Sequence, residues 1–185
     1  NYGSEGVQAT STSLYGPLAV AGDTVGKVYI GDSFHNRVRV VTTSNGIIAN
    51  FAGNGNSPST FLNGRVTSIA IGIVSSLTMD SAGVVYFGDY STTAAIYCAI
   101  RKVTDTSVTT YVGGSGTVSS VGDVAATSLT IGTPYGIAFD TTGVLYHSDF
   151  TKYVMRMVTS SGTSQTIAGI GTSGSPSTSV ATSAA

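Results

Sequence analysis

Apolar residues along this chain come either in strict alternation or in blocks of four to six, and no stretch of ten or more keeps a 3.6-residue period. That pattern predicts short strands and no helices. The first third supplies four candidates, 18–21, 27–31, 37–42 and 47–52, and the last third four more, 135–139, 144–148, 153–159 and 164–168. Asn45-Gly46 and Ser161-Gly162 mark the turn between the third and fourth candidate of each set, where a residue must take positive φ.

The strands belong to a repeat. Asp23-Thr-Val-Gly-Lys-Val-Tyr-Ile-Gly-Asp32, Asp80-Ser-Ala-Gly-Val-Val-Tyr-Phe-Gly-Asp89 and Asp140-Thr-Thr-Gly-Val-Leu-Tyr-His-Ser-Asp149 share one frame, with offsets of 57 and 60 residues. Ala9-Thr-Ser, Val66-Thr-Ser, Ala126-Thr-Ser and Ala181-Thr-Ser keep the same phase, and so do the glycine-rich exits at Phe51, Tyr111 and Ile167. Four short antiparallel strands per 55–60 residues describe a propeller blade. The expected fold is therefore all-β, a β-propeller of four-stranded antiparallel blades with about three blades present. We read residues 1–185 as one propeller segment with repeats at about 9–65, 66–125 and 126–180, and 181–185 opening the next. The second repeat departs from the others. Asp89 and Arg101 lie twelve residues apart, where Asp32–Arg39 and Asp149–Arg156 are seven apart, so five extra residues within 90–97 should lengthen the loop between its second and third strands.

The segment Gly26-Lys-Val-Tyr-Ile-Gly-Asp-Ser-Phe-His-Asn-Arg-Val-Arg-Val-Val41, followed by Ile48-Ala-Asn-Phe-Ala-Gly-Asn-Gly55, resembles an NHL repeat, as does Ala126-Thr-Ser-Leu leading into Pro134-Tyr-Gly-Ile-Ala-Phe-Asp140. The resemblance covers essentially the whole chain and implies a propeller that commonly has six blades. Three blades make an open arc, or half of a six-bladed ring, whose two terminal faces need cover. Further repeats or copies of the chain itself are the expected partners, as a homo-oligomer that closes the ring or as a filament.

Composition narrows the function classes. Charged residues are 9% of the chain and polarity comes instead from 26 Ser and 27 Thr. A formal net charge of -1 argues against nucleic acid, and no apolar run approaches the length of a membrane span. Low charge also leaves little repulsion to oppose self-association. The chain opens at Asn1 with neither an initiator Met nor a signal peptide, which reads as a processed form or a window on something longer. Hydroxyls in place of charges point to an extracellular, secreted scaffold, with Ser57-Pro-Ser-Thr-Phe and the Ser173–Ser183 stretch as acceptors for O-linked glycans.

Candidate chemistry is sparse. Asp23, Asp80 and Asp140 hold one repeat position and Asp32, Asp89 and Asp149 another, which suits turn geometry better than an active site. His147 takes the place of Ile30 and Phe87 and reads as a packing residue with one hydrogen bond, while His35 reads as structural in a loop. Peptidyl-hydroxyglycine lyases of similar fold hold zinc with three histidines, and two at non-equivalent positions do not supply that set. Cys98, alone in an apolar stretch, reads as a small buried hydrophobe, and the eight Lys and Arg as solvated single cations. No catalytic, cofactor-binding or metal residue is assigned. The expectation is a non-enzymatic structural or interaction module, with a metal-dependent lyase or hydrolase propeller, or a carbohydrate- or protein-binding module, as alternatives.

Overall fold

The computed structural model describes residues 3–57, 63–92, 98–114 and 123–173. These form three antiparallel sheets. The first contains β1 (Val7–Gln8), β2 (Pro17–Gly22), β3 (Lys27–Asp32), β4 (Arg37–Thr42) and β5 (Ile47–Ala52), ordered β1-β5-β4-β3-β2. The second contains β6 (Gly64–Arg65), β7 (Ile73–Met79), β8 (Val85–Tyr90), β9 (Cys98–Val103) and β10 (Ser107–Gly113), in the equivalent order. The third repeats it with β11 (Val124–Ala125), β12 (Ile137–Phe139), β13 (Leu145–Asp149), β14 (Val154–Val158) and β15 (Thr163–Ala168). Each sheet is the expected four-stranded meander plus one short outer strand. That fifth strand lies just ahead of the Thr-Ser marker, and at Ala9–Ser11 and Ala126–Ser128 the marker itself forms a single 3-10 turn. Two residues are too short to read as a strand from alternation, so the pattern missed these three.

The sheets are blades of an open propeller. β7 packs against β2 and β3 of the first blade, and β12 packs against β7, so the inner strands follow one another along an arc. One apolar cluster fills each junction. Tyr29, Val38, Ala52, Ile71, Val74, Val85 and Phe87 lie between the first and second blades. Tyr86, Cys98, Ile100, Val112, Leu129, Leu145 and Val158 lie between the second and third. Two-residue alternation sends neighbours such as Tyr86 and Phe87 to opposite faces, so the middle blade is buried on both sides.

Close approach at the joints requires glycine. A Cβ on Gly31 would lie 2.8 Å from Val74 Cγ1, and one on Gly88 2.5 Å from Ser75 Oγ and Ser76 Oγ. Both serines donate to the Pro134 carbonyl across the second joint, and Ser33 Oγ donates to the Val74 carbonyl across the first. The register also shows where the extra residues of the second blade go. Asp32 pairs with Arg37 and Asp149 with Val154, whereas Asp89 pairs with Ala99. The longer span is thus absorbed between β8 and β9, where 93–97 fall outside the described residues, and the strand pairing is kept.

Candidate functional site

The recurring aspartates divide into two kinds. Asp23 Oδ1 accepts the backbone N–H of Val25 and Lys27, Asp80 Oδ1 those of Ala82 and Val84, and Asp140 Oδ1 those of Thr142 and Val144. These carboxylates tie the turn between the first two strands of each blade. The second kind is buried. Asp32, Asp89 and Asp149 each accept, at 2.6–2.7 Å, the backbone N–H of the residue seventeen positions earlier: Tyr15, Gly72 and Gly132. Each therefore pins the start of its blade's first strand to the end of the second.

Arginines complete these struts and correct the reading of solvated cations. Arg39, Arg101 and Arg156 are buried at one repeat position on the third strand, each opposite the residue two before the aspartate. Arg156 Nε lies 3.1 Å from Asp149 Oδ2 and Arg39 Nη1 3.5 Å from Asp32 Oδ2, while Arg101 and Arg156 donate to Thr110 and Thr166 on the fourth strand. Arg37 is buried too, donating to the carbonyls of Gly53 and Asn54. The signal was present in the sequence, since a cation recurring at one phase of a repeat belongs to the blade and not to the solvent.

The second blade breaks this pattern. Asp89 is wholly buried and its Oδ2 has no hydrogen-bond partner. Desolvation pushes its carboxyl up to about 7, against the lowering effects of the Arg101 charge and the Gly72 N–H. His147, packed at the place of Ile30 and Phe87, is pushed down to about 4 by burial; its Nδ1 bonds the Ser148 carbonyl and its Nε2 has no partner. His35 Nδ1 sits 2.9 Å from Asp32 Oδ2. The Cys98 thiol is buried, and desolvation pushes it up to about 11. Among the described residues no three His, Cys, Asp or Glu side chains come together as a metal ion would require.

The remaining candidates are the two faces at the ends of the arc. Val20 stands where the second blade has Leu77, and Met155 where the first two blades have Val38 and Ile100. Leu77, Val38 and Ile100 are buried in the joints, whereas Val20 is 67% exposed and Met155 41%. Val28, Ile30 and Val41 around Val20 are only partly covered, as are Tyr146, Met157 and Ala168 around Met155. One end thus presents the face that receives a blade inside the chain, and the other the face that is received.

Known proteins of similar shape are propeller-like. A streptogramin B lyase matches with a TM-score of 0.54 at 18% identity, over 82% of this chain and 40% of that one. A protein of unknown function from Bacteroides thetaiotaomicron matches with a TM-score of 0.59 at 21% identity, over 82% and 35%. The extracellular domain of a putative one-component system from B. thetaiotaomicron matches with a TM-score of 0.55 at 16% identity, over 93% and 20%. The chain spans between a fifth and two-fifths of these structures' length. No protein-family model and no curated protein matches it. The fold is a partial β-propeller.

These neighbours correct one expectation. The sequence pointed to a chain that is not an enzyme, on the ground that its carboxylates recur with the blades. The same fold carries a lyase, including a catalytically inactive virginiamycin B lyase from Staphylococcus aureus with quinupristin (TM-score 0.54, 18% identity). Repeat-bound carboxylates therefore do not exclude catalysis, because a propeller's chemistry rests on loop residues that vary between blades. No helix among the described residues is long and apolar enough to cross a membrane.

Proposed function

We infer that this chain is a blade-packing interaction module: an NHL-type propeller arc in an extracellular assembly, completed at each end by further blades. Those blades come from flanking repeats of one polypeptide or from copies of the chain. The observation that carries this reading is the exposure of Val20 and Met155 at positions where Leu77, and Val38 and Ile100, are buried in the joints. Apolar area of that kind is stabilising when covered, by about 25 cal/mol per Å2. The unit of assembly in this reading is the blade, and the repeats at 9–65, 66–125 and 126–180 leave the short outer strands β1, β6 and β11 just ahead of the repeats whose sheets they join. An extracellular setting is supported by the hydroxyl-rich, lysine-poor composition and by the neighbour described as an extracellular domain. The hydroxyl-rich stretches proposed for O-linked glycans, 57–61 and 173–183, lie almost wholly outside the described residues.

The test is the native mass of the 185-residue chain by light scattering at low micromolar concentration. Association through the end faces predicts a particle larger than 18.7 kDa. A folded monomer that binds no hydrophobic dye at its ends would overturn the reading.

A further inference from the structure

The repeat gives each position a control. A side chain present in all three blades answers to the blade, and one that breaks the repeat needs another cause. Rings along one rim of the arc break it. Because the first two strands of each blade are antiparallel, β2, β7 and β12 begin at the rim where β3, β8 and β13 finish. At that rim Tyr15 occupies the place of Gly72 and Gly132, all three giving their backbone N–H to the buried aspartate. Phe34 occupies the place of Ser91 and Thr151, and Tyr135 that of Leu18 and Ser75. Tyr90 and Phe150 both occupy that of Ser33.

Four of the five rings stand clear of the core, and the fifth, Tyr90, is half-buried against the second joint. Tyr15, Phe34, Tyr135 and Phe150 are 59%, 48%, 49% and 59% exposed. They form two platforms. On the first blade, Tyr15 lies edge-on to Phe34 at 5.1 Å between centroids and 5.6 Å from His35. Across the second joint, Tyr135 lies edge-on to Tyr90 at 6.0 Å and to Phe150 at 5.1 Å. The carboxylates at this rim are turned inward, since Asp32, Asp89 and Asp149 are all fully buried. What remains is ring faces bordered by phenol hydroxyls and Thr151, with His35 beside the first platform and Lys152 in the turn that carries Phe150.

We propose that the rim of the arc where the first strands begin and the second strands finish binds a neutral oligosaccharide, stacked on the Tyr15–Phe34 and Tyr90–Tyr135–Phe150 platforms. A pyranose has an apolar C–H face and a rim of hydroxyls, which complements an exposed ring with a polar tip. Two separated platforms suit a polymer whose units meet successive rings better than they suit one compact ligand. Withdrawn carboxylates leave a cationic sugar no counter-charge, and an anionic one would meet only Lys152 beside one platform, so an uncharged sugar suits both platforms best. The site is independent of the end faces and uses neither Val20 nor Met155.

The test is titration calorimetry of the full chain with cellohexaose, laminarihexaose, mannohexaose and chitohexaose, with polygalacturonate and heparin as charged controls. At least one neutral hexasaccharide should bind, with little dependence on salt. Tyr135→Ala and Phe150→Ala should each weaken that binding by roughly tenfold or more, and Tyr15→Ala should weaken it while leaving the backbone bond to Asp32 in place. Because these rings are exposed, the variants should melt with the parent protein, which separates lost stacking from lost fold. Failure of all four neutral sugars to bind, salt-sensitive binding of the charged polymers alone, or neutral binding that survives all three substitutions would each overturn the proposal.

Discussion

His147 and Asp89 are both buried in the blades, and their protons pull stability in opposite directions with pH. The His147 imidazole is held down to about 4 from an ordinary 6.5, so the native state refuses a proton that the unfolded chain accepts. Its contribution is fully present above pH 6.5 and is lost as pH falls towards 4, by about 3 kcal/mol at ~1.4 kcal/mol per unit. Asp89 runs the other way. Its carboxyl is raised from 3.8 to about 7, so the native state keeps a proton that the unfolded chain has released, and stability falls as pH rises between those values. We expect His147→Phe, which copies Phe87, to remove the acid-side loss, and Asp89→Asn to flatten the decline towards neutrality. Urea unfolding from pH 4 to pH 8 checks both; parallel pH profiles for parent and variants would contradict them. The position of His147 was legible from the repeat frame. Its depressed basicity was not, because desolvation depends on the second blade packing over it.

Between blades, what counts is how closely two sheets approach. Gly88 lets the segment that enters the third blade come within hydrogen-bond reach of Ser75 and Ser76, both of which donate to the Pro134 carbonyl. Gly88→Ala places a methyl 2.5–2.6 Å from those hydroxyls and that carbonyl, so the joint must open. A loss of about 1–3 kcal/mol is expected, measurable as a lower melting temperature. Gly83→Ala differs, since its Cβ would meet nothing within 4 Å and its cost is backbone strain at φ +79° alone. The strands themselves were readable because alternation and Asn-Gly or Ser-Gly turns agree with each other. The buried arginines were misread because a cation on a strand says nothing by itself about which face it shares with an aspartate. Only the register, with Arg39 opposite Ile30 and Arg156 opposite His147, brings the charges together.

For the molecule as a whole, three blades and two open faces make stability depend on what abuts them. Val20→Lys adds a charge at a site already open in the lone arc, so it should barely change monomer stability. In the associated particle it would bury that charge, and we expect the larger species to dissociate, as light scattering would show. Association that tolerates the lysine would mean that the arc is joined elsewhere. The repeat count and the unfinished ring were legible in the sequence because periodicity is linear information. The aromatic platforms were not, since only Tyr90 and Phe150 share a repeat position and the rings of each platform meet only through the turning of the chain.

Ser148 holds the place that Gly31 and Gly88 hold in the other blades, and its hydroxyl accepts the Gly136 N–H of its own first strand. A neighbour set at the spacing of the inner joints would collide with that side chain. Whatever lies beyond the third blade must stand back or tilt, which leaves the loosest seam of any completed ring along β13, and it is there that pressure or mild denaturant should first prise the assembly apart.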